Sequence, residues 1–335
     1  MAVTRRDVAK AAGVSTATVS NVLNNSDKVK AETAEHVRQV IKQLNYSPNM
    51  VARSLSTKRT MQVGIILEDI SNPFFAELAE DFERAADEQN YFVNICMGLS
   101  KLDAYFENFI SRGLEGIFVT ALPHKFDTQK LYRLVDNGIK VVASGNVQID
   151  TKRISSLEND YEDGMWKIME YLYKLGHREI AYLSGLGRKL ESDCRCRFYL
   201  NNVKRLGLDY EDHLLIDGKF PYTTTMLDGY QRARQLVESG KKFTAAVCGN
   251  DMMAIGAMRA FKECGLRIPE DVSVVGIDGT DLARYSSPSL TTLEADKKLG
   301  RKAFELLYAN MIQGNVGYFR NGGKLLVRES TAARS

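Results

Sequence analysis

Apolar residues in the first 47 positions recur at helical spacing in three short runs, each bounded by residues that start or stop helices. Thr4, with Asp7 three residues later, predicts a capping box at the start of the first helix. Gly13 ends that helix, and the third helix is predicted over about 32–44. Three short helices with one apolar face each indicate a small all-α unit.

The second helix is predicted from a Ser15 cap to about Asn24. At ~100° per residue, its apolar residues Val19, Val22 and Leu23 share one arc. The opposite arc is small, polar and uncharged. It carries Thr16, Ala17, Ser20 and Asn21. A helix, a glycine turn and a helix with such a face favour a helix-turn-helix, whose second helix enters the major groove of DNA. A plain three-helix bundle would need the same apolar arc.

From residue 62 onward, short apolar runs alternate with amphipathic helical runs such as 74–88 and 252–264. The predicted strands are Val63–Leu67, Tyr91–Met97, Gly116–Val119, Val141–Ala143, Ile180–Leu183, Leu214–Asp217, Ala245–Cys248 and Val272–Ile277, with a last strand at Lys324–Arg328. This alternation predicts parallel sheets covered by helices on both faces, and so many strands favour two similar lobes. We expect a ligand to bind in the cleft between the lobes, beyond the carboxyl ends of the strands.

Polar and aromatic residues that follow the predicted strands are the candidates for that ligand site. They are Asp69, Asn72, Phe74, Phe75, Arg195, Phe220, Asn250, Asp251 and Asp278. Carboxylates, an arginine, an amide and aromatic planes suit a polyhydroxylated ring, since hydroxyls bind the polar groups and the ring face stacks on aromatics. Alternatively, Asp251 is a helix cap and Phe74 a core residue.

Charge is unevenly divided along the chain. Residues 1–60 hold ten Lys/Arg against four Asp/Glu, a net charge of +6, whereas the whole chain has +3. A basic head on a mildly acidic body indicates a partner that is a polyanion. A solvated basic surface is the alternative.

The composition, 44% hydrophobic and 26% charged, is typical of a globular protein and excludes a disordered or fibrous chain. The N-terminus lacks the apolar core of an export signal, and no run approaches ~18 apolar residues, so we expect a cytoplasmic protein. The five cysteines and four histidines are scattered, with neither metal-ligand spacing nor a catalytic set around them. We therefore expect no metal, no cofactor and no enzymatic activity.

Several runs along the chain resemble one family. They are DVAKAAGVSTATVSNVLN (7–24), LNYSPNMVARSL (44–55), DISNPFFAEL (69–78), GHREIAYLSG (176–185), CGNDMMAIGAMRA (248–260) and PEDVSVVGID (269–278). In this order they resemble the lactose-repressor/galactose-repressor (LacI/GalR) family of bacterial regulators, over essentially the whole chain.

The resemblance implies an all-α helix-turn-helix head at 1–47, a hinge helix and linker at 48–60, and a two-lobed periplasmic-binding-protein-like α/β body at 61–335. The N-lobe is expected at about 61–161 plus 292–322, and the C-lobe at about 162–291 plus 323–335.

The resemblance also assigns the DNA contacts. Thr16, Ala17 and Asn21 are the expected base-reading positions, while Ser15 and Ser20 are expected at caps and phosphates. Thr4 is also expected among the DNA-contacting residues. The hinge positions are Val51, Ala52 and Leu55, of which Leu55 is expected to insert into a central base step of the minor groove. Lys30 replaces the usual Ser or Thr before the third helix, which predicts a weaker cap there.

For the effector, the resemblance points most directly to Phe75, Arg195, Asn250 and Asp278, then to Phe220. Three departures from the family pattern affect the ligand. Ser144 stands where many relatives have Asp, residues 186–197 are unusually basic, and the stretch 220–229 is longer than usual. The basic stretch leaves a phosphorylated or acidic ligand open beside a neutral sugar.

The favoured function is a transcriptional repressor that binds a palindromic operator as a homodimer and is controlled by a small molecule, a sugar or sugar derivative. No heptad tail follows the last predicted strand, so a dimer is the largest assembly expected. The alternatives are a solute-binding receptor, which shares the two-lobed body, and a sugar-acting enzyme.

Overall fold

The computed structural model describes residues 3–23, 27–47, 54, 59–123, 125–145, 147–186, 193–208, 214–216 and 223–334. The chain divides into two compact units, Met1–Thr60 and Met61–Ser335, which we call the head and the body.

Three helices form the described part of the head. They are α1 (Arg5–Ala11), α2 (Thr16–Leu23) and α3 (Ala31–Gln43). The predicted capping box is confirmed, since the Thr4 hydroxyl accepts from the backbone N–H of Asp7 and the Asp7 carboxylate accepts from the backbone N–H of Thr4. Ser15 caps α2 by accepting from the N–H of Thr18 at 3.0 Å. Lys30 makes no side-chain cap, as predicted.

The head core is formed by the apolar faces predicted for the three helices. Val8, Val19 and Val37, one from each helix, are fully buried and belong to a single apolar cluster. Gly13, between α1 and α2, has φ +65°, a left-handed conformation that favours glycine and turns the chain sharply. Helix, tight turn and helix are therefore present in the predicted order.

Two six-stranded sheets form the body. The strands are β1 (Gln62–Leu67), β2 (Phe92–Met97), β3 (Gly116–Leu122), β4 (Lys140–Gly145), β5 (Ser155–Asn159), β6 (Ile180–Leu183), β7 (Leu215–Ile216), β8 (Ala245–Cys248), β9 (Ser273–Asp278), β10 (Thr291–Glu294), β11 (Tyr318–Asn321) and β12 (Lys324–Leu326). The orders are β11-β5-β4-β3-β1-β2 and β12-β10-β9-β8-β6-β7. All pairs are parallel except β10 with β12, which are antiparallel.

Helices cover both faces of each sheet, as the alternation predicts. They are α4 (Pro73–Asp87), α5 (Leu102–Arg112), α6 (Gln129–Asp136), α7 (Tyr161–Lys174), α8 (Cys194–Arg205), α9 (Met226–Glu238), α10 (Asp251–Glu263), α11 (Asp281–Tyr285) and α12 (Leu299–Gln313). Each sheet lies between two apolar clusters, so each lobe has one core on either face of its sheet. No helix among the described residues is long and apolar enough to cross a membrane.

The chain passes between the lobes three times, after β5, after β10 and after β11. One predicted lobe boundary is wrong. Residues 292–294 were expected in the N-lobe, but they lie in β10, which pairs with β9 of the second sheet over Thr291↔Val275 to Glu294↔Asp278. The second crossover therefore begins after Glu294, because the short run TTLE completes the second sheet before the chain leaves it.

Hydrogen bonds around Asn321 tie the three crossovers together. Its side-chain amide donates to Asn159 Oδ1 at 2.8 Å, and its Oδ1 accepts from the backbone N–H of Asp296 at 3.3 Å. Its backbone carbonyl accepts from the N–H of Asp160 at 2.8 Å. Asn321 is buried, so these bonds satisfy polar groups that would otherwise be costly to bury.

Candidate functional site: a DNA-reading face and an interlobe cleft

The polar arc of α2 lies opposite the head core. Thr16 and Ala17 are exposed, while Ser20 and Asn21 are half-buried at its edges. Ser15 is at the start of the helix, where its hydroxyl is also within 2.9 Å of the Thr18 hydroxyl. Three of the predicted DNA contacts, Val51, Ala52 and Leu55, lie outside the described residues.

Thr4 has little capacity left for DNA, because its side chain is engaged in the capping box. Its hydroxyl donates to Asp7 Oδ2 at 2.6 Å and accepts from the Asp7 N–H. These bonds hold the pKa of Asp7 below its ordinary value.

Arg195 is the cation at the centre of the described part of the cleft. It lies in the first turn of α8, whose N-cap, Asp193, accepts from the backbone N–H groups of Arg195 and Cys196. The guanidinium forms a 3.5 Å ion pair with Asp193 and donates to the carbonyl of Gly249 at 2.7 Å. Its Cζ lies 5.5 Å from the centre of the Tyr161 ring. With its side chain only 14% exposed, Arg195 is held in one place rather than solvated.

Asp193 is itself fixed from behind. Its second carboxylate oxygen accepts from the Ser184 hydroxyl at 2.8 Å and from the Tyr182 hydroxyl at 3.2 Å. Asp193 was not among the predicted residues, although an acid two residues before an arginine at a helix start is a recognisable capping signal. It positions Arg195 through both the backbone N–H and the guanidinium of that residue.

Asp278 ends β9 at the same edge, with φ +127°, an unusual backbone conformation for a residue with a side chain. Burial raises the pKa of Asp278 well above its ordinary value, the carboxylate of Asp251 raises it further, and Arg195 partly opposes both. Asp278 and Tyr161 also line one small cavity beside the crossovers. Arg195, Tyr161 and Asp278 therefore come together in space.

Asp251 is not a helix cap, the alternative considered for it, because the N-cap of α10 is Asn250. It is fully buried, and its carboxylate accepts from the N–H and hydroxyl of Thr280 at 2.8 and 3.0 Å and from the hydroxyl of Thr292 at 2.5 Å. These bonds join α10, the loop after β9, and β10. Burial nevertheless raises the pKa of Asp251 to about 6.

Other predicted cleft residues are engaged locally. Asn250 caps α10 by accepting from Met253 N–H at 2.8 Å, and its amide group donates to the carbonyl of Thr224 at 3.1 Å. Asn72 caps α4, and both carboxylate oxygens of Asp69 accept from Ser71. These bonds shape the strand ends and use part of the hydrogen-bonding capacity of each group.

The two phenylalanines at the start of α4 lie in different surroundings. Phe75 is 8% exposed and belongs to the N-lobe core, whereas Phe74 is half-buried at its edge. Their rings meet edge-to-face with centres 5.3 Å apart. Phe220 lies outside the described residues, and Ser144 lies within β4.

Three residues of the cleft were not predicted from the sequence. Glu68, at the end of β1 in the N-lobe, has a pKa raised by desolvation and lowered in part by Arg195 of the C-lobe. Glu77 of α4 raises the pKa of Asp278, and its own pKa is raised by desolvation and by the neighbouring carboxylate of Asp281. Tyr161 begins α7, directly after β5, and burial raises its pKa to about 12. Glu68 follows a predicted strand and was open to selection; Tyr161 follows a strand that was not predicted.

Two family descriptions match the chain. "Bacterial regulatory proteins, lacI family" matches residues 4–49, and "Periplasmic binding protein-like domain" matches residues 169–331. Similar proteins include the HTH-type transcriptional repressors PurR of Mannheimia succiniciproducens, 34% identical over 91% of each chain, and of Pasteurella multocida, 33% identical over 91% of each chain.

Solved structures agree with the fold. A lac repressor dimer bound to operator and the anti-inducer ONPF is 28% identical, with a TM-score of 0.85 over 99% of this chain and 100% of that one. A complex of the transcriptional regulator CelR with cellobiose is 26% identical, with a TM-score of 0.71 over 98% of this chain and 99% of that one.

A helix-turn-helix head joined to a two-lobed body with a cleft defines a class of protein, the DNA-binding transcription regulator controlled by a small molecule, rather than an enzyme. Within that class, the chain belongs to the lacI family of bacterial regulatory proteins.

Proposed function

We propose that this protein represses transcription in the bacterial cytoplasm by binding a palindromic operator as a homodimer, and that an effector in the interlobe cleft changes its affinity for DNA. The curated relatives are named as repressors, and the lac repressor structure was determined as a dimer on operator DNA. Two heads reading equal half-sites follow from a two-fold dimer.

In each head, α2 enters the major groove. Its exposed positions Thr16 and Ala17 and the neighbouring Asn21 read base edges, and Ser15 and Ser20 lie at the cap and beside phosphates. The observation that supports this assignment is the uncharged polar arc of α2 opposite a fully buried apolar one. Residues 51–55 act as the hinge in the minor groove, with Leu55 inserted between base pairs.

The effector binds against Arg195, Asp278 and Tyr161 of the C-lobe, with Glu68 facing them from the N-lobe. The single observation that carries this proposal is the position of Arg195. Its guanidinium is fixed by Asp193 and Gly249 while its charge reaches carboxyl groups of both lobes. A ligand between the lobes therefore meets polar groups from each and favours the closed arrangement.

We propose a neutral, polyhydroxylated effector such as a sugar. The carboxyl groups of Glu68, Glu77, Asp278 and Asp251 act on the described part of the cleft, where they offer hydrogen-bonding groups that suit hydroxyls. A raised pKa allows Asp278 to donate as well as accept. The cellobiose complex of the CelR regulator supports the same class of ligand. Arg197, in the basic stretch, is exposed and lies over the ring of Phe198, which directs it away from a ligand role.

The test is a thermal-shift screen of the 335-residue protein against neutral sugars, sugar phosphates, sugar acids and purines. A ligand at about 100 times its Kd stabilises the folded body by about 2.7 kcal/mol. For a body of this size that raises the melting temperature by roughly 5 °C. We expect the largest shifts from neutral sugars.

Arg195→Ala is expected to lose that shift, whereas Arg197→Ala, a matched change in the same helix, is expected to retain it. Operator binding is followed in parallel by fluorescence anisotropy at increasing salt, where a regulator loses DNA affinity steeply. Equal ligand shifts in both variants would remove Arg195 from the site. Shifts only with phosphates or acids would overturn the proposed ligand class.

A further inference from the structure

Arg5, the first residue of α1, reaches across to the DNA-reading helix. Its Nη1 donates to the hydroxyl of Ser20 in α2 at 3.0 Å. Its Nε is buried and, within the described part of the head, has no hydrogen-bond acceptor. The Arg5 side chain therefore packs against the protein rather than extending into solvent, and no sequence motif marks it.

The stability of the head does not account for this placement. A positive charge at a helix N-terminus opposes the helix dipole. The acid in the first turn of α1 is Asp7, and the Thr4 capping box occupies it. Among the described residues, no carboxylate forms an ion pair with Arg5. Its guanidinium is thus a half-buried cation for which the described residues of the head supply no carboxylate partner.

The bond to Ser20 holds the guanidinium at the polar arc of α2. At ~100° per residue, Ser20 lies on that arc between Thr16 and Ala17, both of which are exposed. The Ser20 hydroxyl accepts the bond, so its own proton is free for a further acceptor. Arg5 therefore borders the surface that approaches base edges. An arginine that attracts DNA only through its charge would not need to be fixed there.

The remaining donors match one base. A guanidinium has five N–H groups. One Nη1–H binds Ser20 and the Nε–H is buried, which leaves the other Nη1–H and both Nη2–H groups available. Two such parallel donors fit the O6 and N7 acceptors that guanine alone presents together in the major groove.

We propose that Arg5 is a specificity-determining residue that reads a guanine in each half-site, and that Ser20 is the residue that positions it. The inference rests on the proposed DNA-binding function. It adds a charged, base-specific contact to a reading face whose α2 residues are all uncharged.

The experiment selects double-stranded DNA from a random-core library with the 335-residue protein, then measures Kd by anisotropy for the selected duplex and for duplexes in which each guanine is replaced. The variants are Arg5→Ala, Arg5→Lys and Ser20→Ala. Arg6→Ala is the matched control, because Arg6 is an exposed neighbour in the same helix with the same charge. Circular dichroism melting of each variant checks that the head is folded.

For the unsubstituted protein, one guanine per half-site is expected to be preferred by roughly 5- to 150-fold over the other bases. Arg5→Ala is expected to reduce that preference to about 2-fold or less. Arg5→Lys, which keeps the charge without the planar fork, is expected to keep the salt dependence and lose most of the preference. Ser20→Ala is expected to weaken the preference without changing the salt dependence.

Arg6→Ala is expected to weaken all duplexes equally and leave the preference intact. If Arg5→Ala behaves in the same way, with a uniform loss and a salt slope smaller by about 1, Arg5 contacts a phosphate and the inference is overturned. If Arg5→Ala selects the same motif with the same preference, it is also overturned. If the unsubstituted protein enriches no sequence, the proposed DNA-binding function fails instead.

Discussion

Helices α9 and α10 of the C-lobe cross with their backbones in contact, and Gly256→Ala tests that contact. A Cβ at position 256 would lie 1.9 Å from the backbone carbonyl oxygen of Met226 and 3.0 Å from the backbone nitrogen of Tyr230. The crossing is reciprocal, since a Cβ on Gly229 would lie 1.9 Å from the carbonyl oxygen of Met253. The obstacle is main chain, which cannot turn aside as a side chain can.

Two opposing terms decide the sign of the effect. Alanine is favoured over glycine inside a helix by about 1 kcal/mol. Forcing the packed helices apart costs about 3 kcal/mol, the upper end for overpacking, because two backbones must move. The net loss is about 2 kcal/mol. With an unfolding entropy of roughly 0.6 kcal/mol/K for a body of this size, the melting temperature falls by about 3–4 °C.

Scanning calorimetry of the 335-residue protein measures the body transition directly. Gly322→Ala is the control, because a Cβ there meets no atom within 4 Å, and it is expected to leave the transition unchanged or slightly higher. A Gly256→Ala protein that melts at or above this control would show that the helices have room for a methyl group, and the packing argument would be refuted.

Three further predictions follow from buried or family-implied groups. Because burial raises the pKa of Asp251 to about 6 from an ordinary 3.8, its contribution to stability is complete below about pH 3.8 and is lost as pH rises through 6. Urea unfolding should therefore show the original protein losing up to about 3 kcal/mol relative to Asp251→Asn between pH 4 and pH 8; parallel curves would contradict this. Leu55→Ala is expected to weaken operator binding in anisotropy assays while leaving effector-induced thermal shifts intact, and equal operator affinity would exclude the minor-groove wedge. Asn321→Ala, which removes the bonds that join the crossovers, is expected to lower the free energy of unfolding by about 2 kcal/mol, against less than 0.5 kcal/mol for the exposed Asn315→Ala.

Apolar periodicity predicted the elements that it strongly marks. β6 and β8 have the predicted bounds, Ile180–Leu183 and Ala245–Cys248, because continuous apolar runs are typical of strands buried on both faces. The capping box at Thr4 was equally clear, since both halves of the motif are local. Where sequence neighbours decide the structure, the sequence was sufficient.

Three strands were missed because polar residues build them. β5 reads SSLEN, β10 reads TTLE and β11 reads YFRN. Ser155 accepts from Gly317 N–H at 3.1 Å, and Thr292 donates to Asp251, so these buried hydroxyls depend on partners that are remote in the chain. A local pattern does not reveal such partners.

The candidate cleft was only partly predicted, because some of its residues also depend on partners that are remote in the chain. Arg195 and Asp278 follow strands that apolar runs mark, and they were selected together. Tyr161 follows the unpredicted β5, and Glu68 gains its significance from Arg195 on the other lobe. Asn250 was selected for its position, but its hydrogen bonds to Met253 and Thr224 depend on the fold.

The three crossovers dictate the order in which the protein acquires its structure during synthesis. The N-lobe core takes Leu299, Phe304 and Leu307 from α12, and β11 lies at the edge of the N-lobe sheet. A ribosome that has translated only the first half of the chain has therefore released a complete set of head helices but neither lobe in full. Because chains fold as they emerge, the head precedes the body, and both lobes reach their final cores together in the last part of translation.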